Sequence, residues 1–188
     1  MVILITGASH TGKTLLAQRL LERTGFPYLS IDHLKMGLIR SGQTKLTPAD
    51  DDALTPYLWP IVREIIKTAI ENRQNLIVEG CYVPFDWRKD FADRYLSEIR
   101  FVCLAMTDAY IDAHLEDITA HASAIEDRLD DADCSANWLK AQNRACSEGF
   151  QANGETVTRI ETDYGQTVKE LLDDIEKDRC KTTTCKES

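Results

Sequence analysis

Gly7-Ala8-Ser9-His10-Thr11-Gly12-Lys13-Thr14 follows directly on the apolar run Val2-Ile3-Leu4-Ile5 and leads into Leu15-Leu16. The eight residues fit G-x-x-x-x-G-K-[ST] at every fixed position. A short apolar run before them and helical spacing after them predict a strand, a tight loop and a helix, in that order. The chemistry explains the residue types. Two glycines let the backbone turn so that successive N–H groups converge on phosphate oxygens. The helix that follows adds the positive end of its dipole. Lys13 is expected to reach the outer phosphates, and the Thr14 hydroxyl to ligate Mg2+. Gly7, Ala8, Ser9, His10, Thr11, Gly12, Lys13 and Thr14 are thus read as the binding loop for a nucleoside triphosphate.

Outward from this loop, apolar runs alternate with helical patterns. Thr14 to Arg23 has helical spacing and ends at Gly25. Pro27 to Ile31 reads as a second strand ending at Asp32, and Leu34 to Ile39 as a short helix closed by Ser41-Gly42. Asp50 to Asp52 reads as a solvated loop or a first helical turn. Thr55-Pro56 reads as an N-cap with proline at the first helical position, opening a helix to about Asn72. Asn75 to Gly80 and Ile99 to Met106 read as the third and fourth strands. Tyr110 to Phe150 is largely helical, Thr156 to Ile160 is a fifth strand, and Val168 to Lys177 a last helix. This alternation predicts an α/β fold with a parallel sheet covered by helices on both faces. The unit is expected to run over 1–178, with 179–188 a flexible tail.

The chain has 188 residues and a formal charge of −9, with 43% hydrophobic residues. That balance suits one buried core and opposes a nucleic-acid partner, which needs a basic face. No run is long and apolar enough for a bilayer, and Val2 to Ile5 is too short for a secretory signal. The reading is therefore a cytoplasmic protein without membrane or nucleic-acid partners, its oligomeric state (monomer or homodimer) open. Six scattered cysteines with no C-x-x-C pair read as reduced thiols, Cys103 as a small core residue.

Taken together, the loop, Ser30-Ile31-Asp32-His33-Leu34 and Leu76-Ile77-Val78-Glu79-Gly80 resemble the small P-loop kinases. Those include adenylate, shikimate and gluconate kinases, the zeta-toxin kinases, chloramphenicol phosphotransferase and the 2-phosphoglycerate kinases. The resemblance spans about Met1 to Lys177. It implies the P-loop NTPase fold with a five-stranded parallel sheet, a substrate-binding helical segment over 33–74, and a helical lid over 110–150. It implies ATP and Mg2+ as donor and cofactor, and a small-molecule phosphoryl acceptor. In such kinases an acid beyond the second strand takes the acceptor's proton, a place that Asp32 fills. The alternative for Asp32 is a helix cap. Glu79 matches the acid that ends a Walker B strand and holds the metal; its alternative is a strand-end carboxylate satisfied by backbone N–H groups.

Arg40 stands at the spacing of a substrate arginine, with a solvated surface role as the alternative, and Lys35 carries the same two readings. Tyr82 and Trp87 read either as acceptor-pocket walls or as core. Arg128 is the candidate lid arginine, with Arg144 and Lys140 in reserve and helix-surface ion pairs as the alternative. His10 and His33 read as hydrogen-bonded bystanders. Where an adenylate kinase has Asp-Gly-Phe-Pro-Arg, this chain has Glu79-Gly80-Cys81-Tyr82, with no arginine before Arg88. An AMP acceptor does not fit that departure. A cluster of Arg40, Arg88 and Arg128 would suit a phosphorylated acceptor; Tyr82, Trp87 and Asp32 with few cations would suit a neutral one. Two other readings compete with a kinase: a regulatory nucleotide switch, and a nucleotide-binding module without turnover. The guanine-reading Asn-Lys-x-Asp segment of a GTPase switch is absent from the sequence.

Overall fold

The computed structural model describes residues 1–120 and 135–184. Its centre is β1 (Val2–Gly7), all six residues of which are buried. A strand apolar at every position must be covered on both faces, which is what a central parallel strand requires. β2 (Tyr28–Ser30), β3 (Leu76–Glu79), β4 (Ile99–Met106) and β5 (Val157–Ile160) complete a five-stranded, all-parallel sheet in the order β2-β3-β1-β4-β5.

Strand alternation sorts the core into two faces. Val2, Leu4, Val78, Cys103 and Ala105 point to one side, where they meet α3 (Asp51–Glu71) through Leu54, Leu58, Val62 and Ile66, and α6 (Ala136–Ala152) through Phe150. Ile3, Ile5, Ile77, Val102 and Leu104 point to the other, against Leu16, Ala17 and Leu20 of α1 (Lys13–Thr24) and Val168, Leu172 and Ile175 of α7 (Tyr164–Thr184). The chain leaves β1 toward the second face and leaves β3 toward the first. The crevice at the carboxyl ends of β1 and β3 is thus a topological switch point, where open α/β sheets bind ligands.

α1 stops where expected: Gly25 is left-handed at φ 69° and its N–H donates to Leu21 O. α2 (Ile31–Arg40) starts three residues earlier than its pattern suggests, because Ser30 caps it by accepting from the His33 N–H. The cap is therefore Ser30, and Asp32 lies in the first turn. α3 also starts a turn early, at Asp51, which puts Pro56 and Pro60 inside the helix. Each proline forfeits one main-chain bond. Burial of Leu54 and Leu58, both at 0% exposure, holds that turn in place nonetheless. After a short α4 (Asp93–Leu96) and β4, α5 (Asp108–Ala120) and α6 cover most of the helical stretch expected from Tyr110 to Phe150. α7 runs from Tyr164 to Thr184, so much of the expected flexible tail is helical. Cys103 is a core residue as read, its sulfur 4.0 Å from that of Cys146, and both are free thiols.

Candidate active site

The phosphate-loop geometry follows from what its glycines permit. Gly7 has φ 143°, and a Cβ there would stand 2.2 Å from the Leu104 carbonyl oxygen, so β4 passes too close for any side chain. Gly12 has φ 75°, and its added Cβ would lie 2.1 Å from the Tyr164 hydroxyl. That hydroxyl donates to the Gly12 carbonyl at 3.0 Å, so the start of α7 braces the loop directly. Burial pushes the Tyr164 phenol up to about 12. The Ala8 carbonyl accepts from Thr11 Oγ1 at 2.9 Å and from Lys13 Nζ at 2.7 Å. Lys13 is 4% exposed, a buried ammonium held at the loop's mouth. His10 is left-handed at φ 63°, its ring edge-on to Trp138 of α6 at 6.4 Å. Ser9 lies between these fixed points.

Thr14 opens α1 on the sheet face that Glu79 shares. The two strands run in register as Tyr28↔Ile77 and Ser30↔Glu79, so Ile77 and Glu79 point to the α1 side. Glu79 is 2% exposed. Its Oε1 accepts from Thr14 Oγ1 at 3.4 Å, and its Oε2 from the Tyr28 hydroxyl at 2.9 Å. Hydroxyl and carboxylate oxygens side by side at a phosphate loop are the donor types that Mg2+ takes, usually with phosphate and water completing its shell. The residues present fit that ion. Among the described residues no cluster of three or more His, Cys, Asp or Glu competes as a metal site.

Across the crevice, Asp32 belongs to a chain of side chains drawn from three places. Lys35 Nζ donates to Asp32 Oδ1 at 2.7 Å and to the Tyr82 hydroxyl at 2.9 Å, and that hydroxyl donates to Asp51 Oδ1 at 2.9 Å. Burial alone would make Lys35 less basic; Asp32 beside it outweighs burial, with Tyr82 adding to the same effect, so the ammonium is held firmly charged. Burial raises the Tyr82 phenol in turn. Cys81, exposed as a residue, joins the two walls: its thiol is within hydrogen-bonding reach of Lys13 and feels Asp32 and Glu79. Desolvation, the largest influence on it, keeps that thiol protonated.

Other candidates lie elsewhere. Trp87 is a correction: at 0% exposure it stacks on Phe101 at 5.1 Å, deep in the core, and has no surface to offer an acceptor. Arg88 lies over the Trp87 ring and grips Glu155 with two bonds of 2.5 and 3.1 Å, ahead of β5. Arg40 is exposed at the far end of α2, about 12 Å along the axis from Asp32 at 1.5 Å per residue. Arg144 pairs with Asp108, and Lys140 with Asp112 at 2.5 Å. Arg128 lies outside the described residues. The arginine cluster of a phosphorylated acceptor is therefore not assembled among the described residues.

Solved structures share this architecture. A gluconokinase from Sinorhizobium meliloti matches with a TM-score of 0.55 and 16% identity, over 94% of this chain and 91% of its own. A sugar kinase from a Janibacter species matches at 0.56 and 16%, over 93% and 94%. Deoxyadenosine kinase from M. mycoides matches at 0.54 and 11%, over 94% and 100%. The fold is that of the small P-loop kinases. No protein-family model matches the sequence, and no curated protein matches it. No helix among the described residues is long and apolar enough to cross a membrane.

Four site residues carry no motif: Tyr28, Cys81, Asn143 and Tyr164. Asn143 is 1% exposed; its Oδ1 accepts from the Met106 N–H at 2.7 Å and its Nδ2 donates to Leu139 O, fastening α6 over the carboxyl end of β4. A polar residue on an otherwise apolar helix stripe was the one available signal. Tyr28 was findable from strand alternation, which puts it on the Glu79 face of a neighbouring strand.

Proposed function

We propose that the chain is an ATP-dependent small-molecule kinase, transferring the γ-phosphoryl group to a hydroxyl or phosphate of a small metabolite. The observation that carries this reading is the convergence on one crevice of a phosphate loop, the Thr14 hydroxyl beside the buried Glu79 carboxylate, and the Asp32 carboxylate. The shared fold supports it, since three neighbours are named as a gluconokinase, a sugar kinase and a deoxyadenosine kinase.

In this reading the loop amides from Gly7 to Thr14 cradle the triphosphate, and Lys13 moves its donor bond from the Ala8 carbonyl to phosphate oxygen. Thr14 and Glu79 would hold Mg2+, and the ion would supply charge neutralisation on the transferring phosphoryl group. Asp32 accepts the proton of the attacking hydroxyl, and Lys35 orients its carboxylate. Tyr82 closes the acceptor side, with Arg40 assigned to an acidic acceptor and Arg128 to the lid. A single unit over 1–178, with 33–74 for the acceptor and 110–150 as lid, is part of the same proposal, as is a cytoplasmic site of action.

The test is a screen of hydroxylated and phosphorylated metabolites for acceptor-dependent ADP release. Asp32→Asn should keep ATP affinity and lose turnover. Near-normal turnover in that variant sinks the role given to Asp32, and a guanine preference in nucleotide competition favours a regulatory switch instead.

A further inference from the structure

We infer that Tyr28 is a positioning residue for the metal side of the site, setting the rotamer of Glu79 so that one carboxylate oxygen is left facing Thr14. This rests on the reading of Thr14 and Glu79 as the Mg2+-facing pair. Tyr28 pairs with Ile77 across the β2–β3 ladder, and Ser30 with Glu79. Side chains two apart share a face, so Tyr28 and Glu79 stand as diagonal neighbours on the α1 side. A tyrosine is long enough to cross that diagonal, and its hydroxyl meets Glu79 Oε2 at 2.9 Å.

The bond matters because of where Glu79 is. At 2% exposure its carboxylate has no ready access to bulk water, and a glutamate carries three side-chain torsions that something must fix. Tyr28 occupies Oε2 from the sheet side while Thr14 meets Oε1 from α1. The two contacts divide the carboxylate: one oxygen is anchored to the scaffold, the other turned toward the loop. Partners of this kind orient metal ligands and commonly change metal affinity by about 10–100-fold when removed. Tyr28 sits on an outer strand and belongs to no motif, and Tyr28→Phe removes its hydroxyl without altering any residue of the loop.

The experiment compares wild type with Tyr28→Phe, which removes one oxygen atom and keeps the ring. ATP binding is titrated calorimetrically in EDTA and again across a Mg2+ series, and Mn2+ binding to the ADP complex is followed by electron paramagnetic resonance. Thermal melts confirm that both proteins are folded. The inference expects the Mg2+ and Mn2+ midpoints to move about tenfold higher in Tyr28→Phe, with metal-free ATP affinity unchanged within about twofold. In a Glu79→Gln background the same substitution should leave the metal midpoint where it is. Unchanged metal midpoints in a folded Tyr28→Phe overturn it, as does an equal loss of affinity with and without metal, which is what a purely structural role would give. Wild type binding nucleotide without any metal dependence would remove the reading of Thr14 and Glu79 first, a different failure.

Discussion

The proposed donor wall and the proposed acceptor wall of this crevice are built on different principles. The donor wall is mostly main chain: eight contiguous residues, two glycines held where no Cβ fits, and a helix N-terminus. The acceptor wall is all side chain. It joins Asp32 and Lys35 of α2, Tyr82 after β3 and Asp51 of α3 through three hydrogen bonds. A wall made of amides suits one invariant group, a polyphosphate, and tolerates little change. A wall made of side chains from separate elements adapts by substitution, and the same fold hosts many acceptors that way.

The largest effect expected tests where the acceptor wall ends. If Trp87 is core, Trp87→Ala should cost about 3–5 kcal/mol of stability in chemical denaturation. ATP affinity of the folded fraction should survive. A variant that folds as well as wild type but binds acceptor poorly would move Trp87 back into the pocket. The next test breaks the donor wall. Lys13→Ala removes a charged donor from the loop, and turnover should fall about a hundred- to a thousandfold, with the fold intact by circular dichroism. Retained turnover would mean that the loop amides alone carry the phosphate.

A smaller effect is expected from cutting the acceptor chain at its middle. Lys35→Met leaves Asp32 without its ion pair and Tyr82 without its second partner. Loosened orientation should lower acceptor-dependent turnover by about ten- to a hundredfold, and Lys35→Arg should restore part of it. ATP affinity should stay within about twofold, because the affected bonds lie outside the loop. If ATP affinity falls in step with turnover, the two walls are not separable and the comparison fails.

The same difference decides what was legible in the sequence. The donor wall is local, so its chemistry is written in consecutive letters, and Gly7 to Thr14 could be read without a partner. Strand alternation with helices was equally local, and the parallel sheet followed from it. Helix starts were not, because Ser30 and Leu54 act through tertiary burial and capping that outweigh the pattern around Thr55-Pro56. The acceptor wall is non-local. Nothing in Lys35, Tyr82 and Asp51 announces that they meet, and Trp87 next to Asp86 looks as much like a pocket wall as a core residue. Its burial depends on Phe101 and Phe91, which only the packed sheet brings together.

The weakest effect lies in neither wall but in the helix pair above them. Arg144 holds Asp108 with both guanidinium contacts, joining α6 to the start of α5, one residue beyond the Asn143 that fastens α6 to β4. That hydrogen bond holds the pKa of Asp108 below the ordinary carboxylate range. A carboxylate whose folded value is depressed stabilises the fold above its unfolded pKa of about 3.9, and the contribution disappears as pH falls through the lower folded value. Asp108→Asn should therefore melt slightly below wild type at neutral pH, the gap closing as pH is brought from about 5 to about 3. Solvent screening keeps the gap small, since both groups are exposed to water. Because α6 carries Trp138 against His10, any accompanying change in nucleotide binding should register at the donor wall. The Asp32–Lys35–Tyr82–Asp51 chain, which α6 does not join, should not respond. A loss confined to the acceptor side would mean that the helix pair bears on that wall instead.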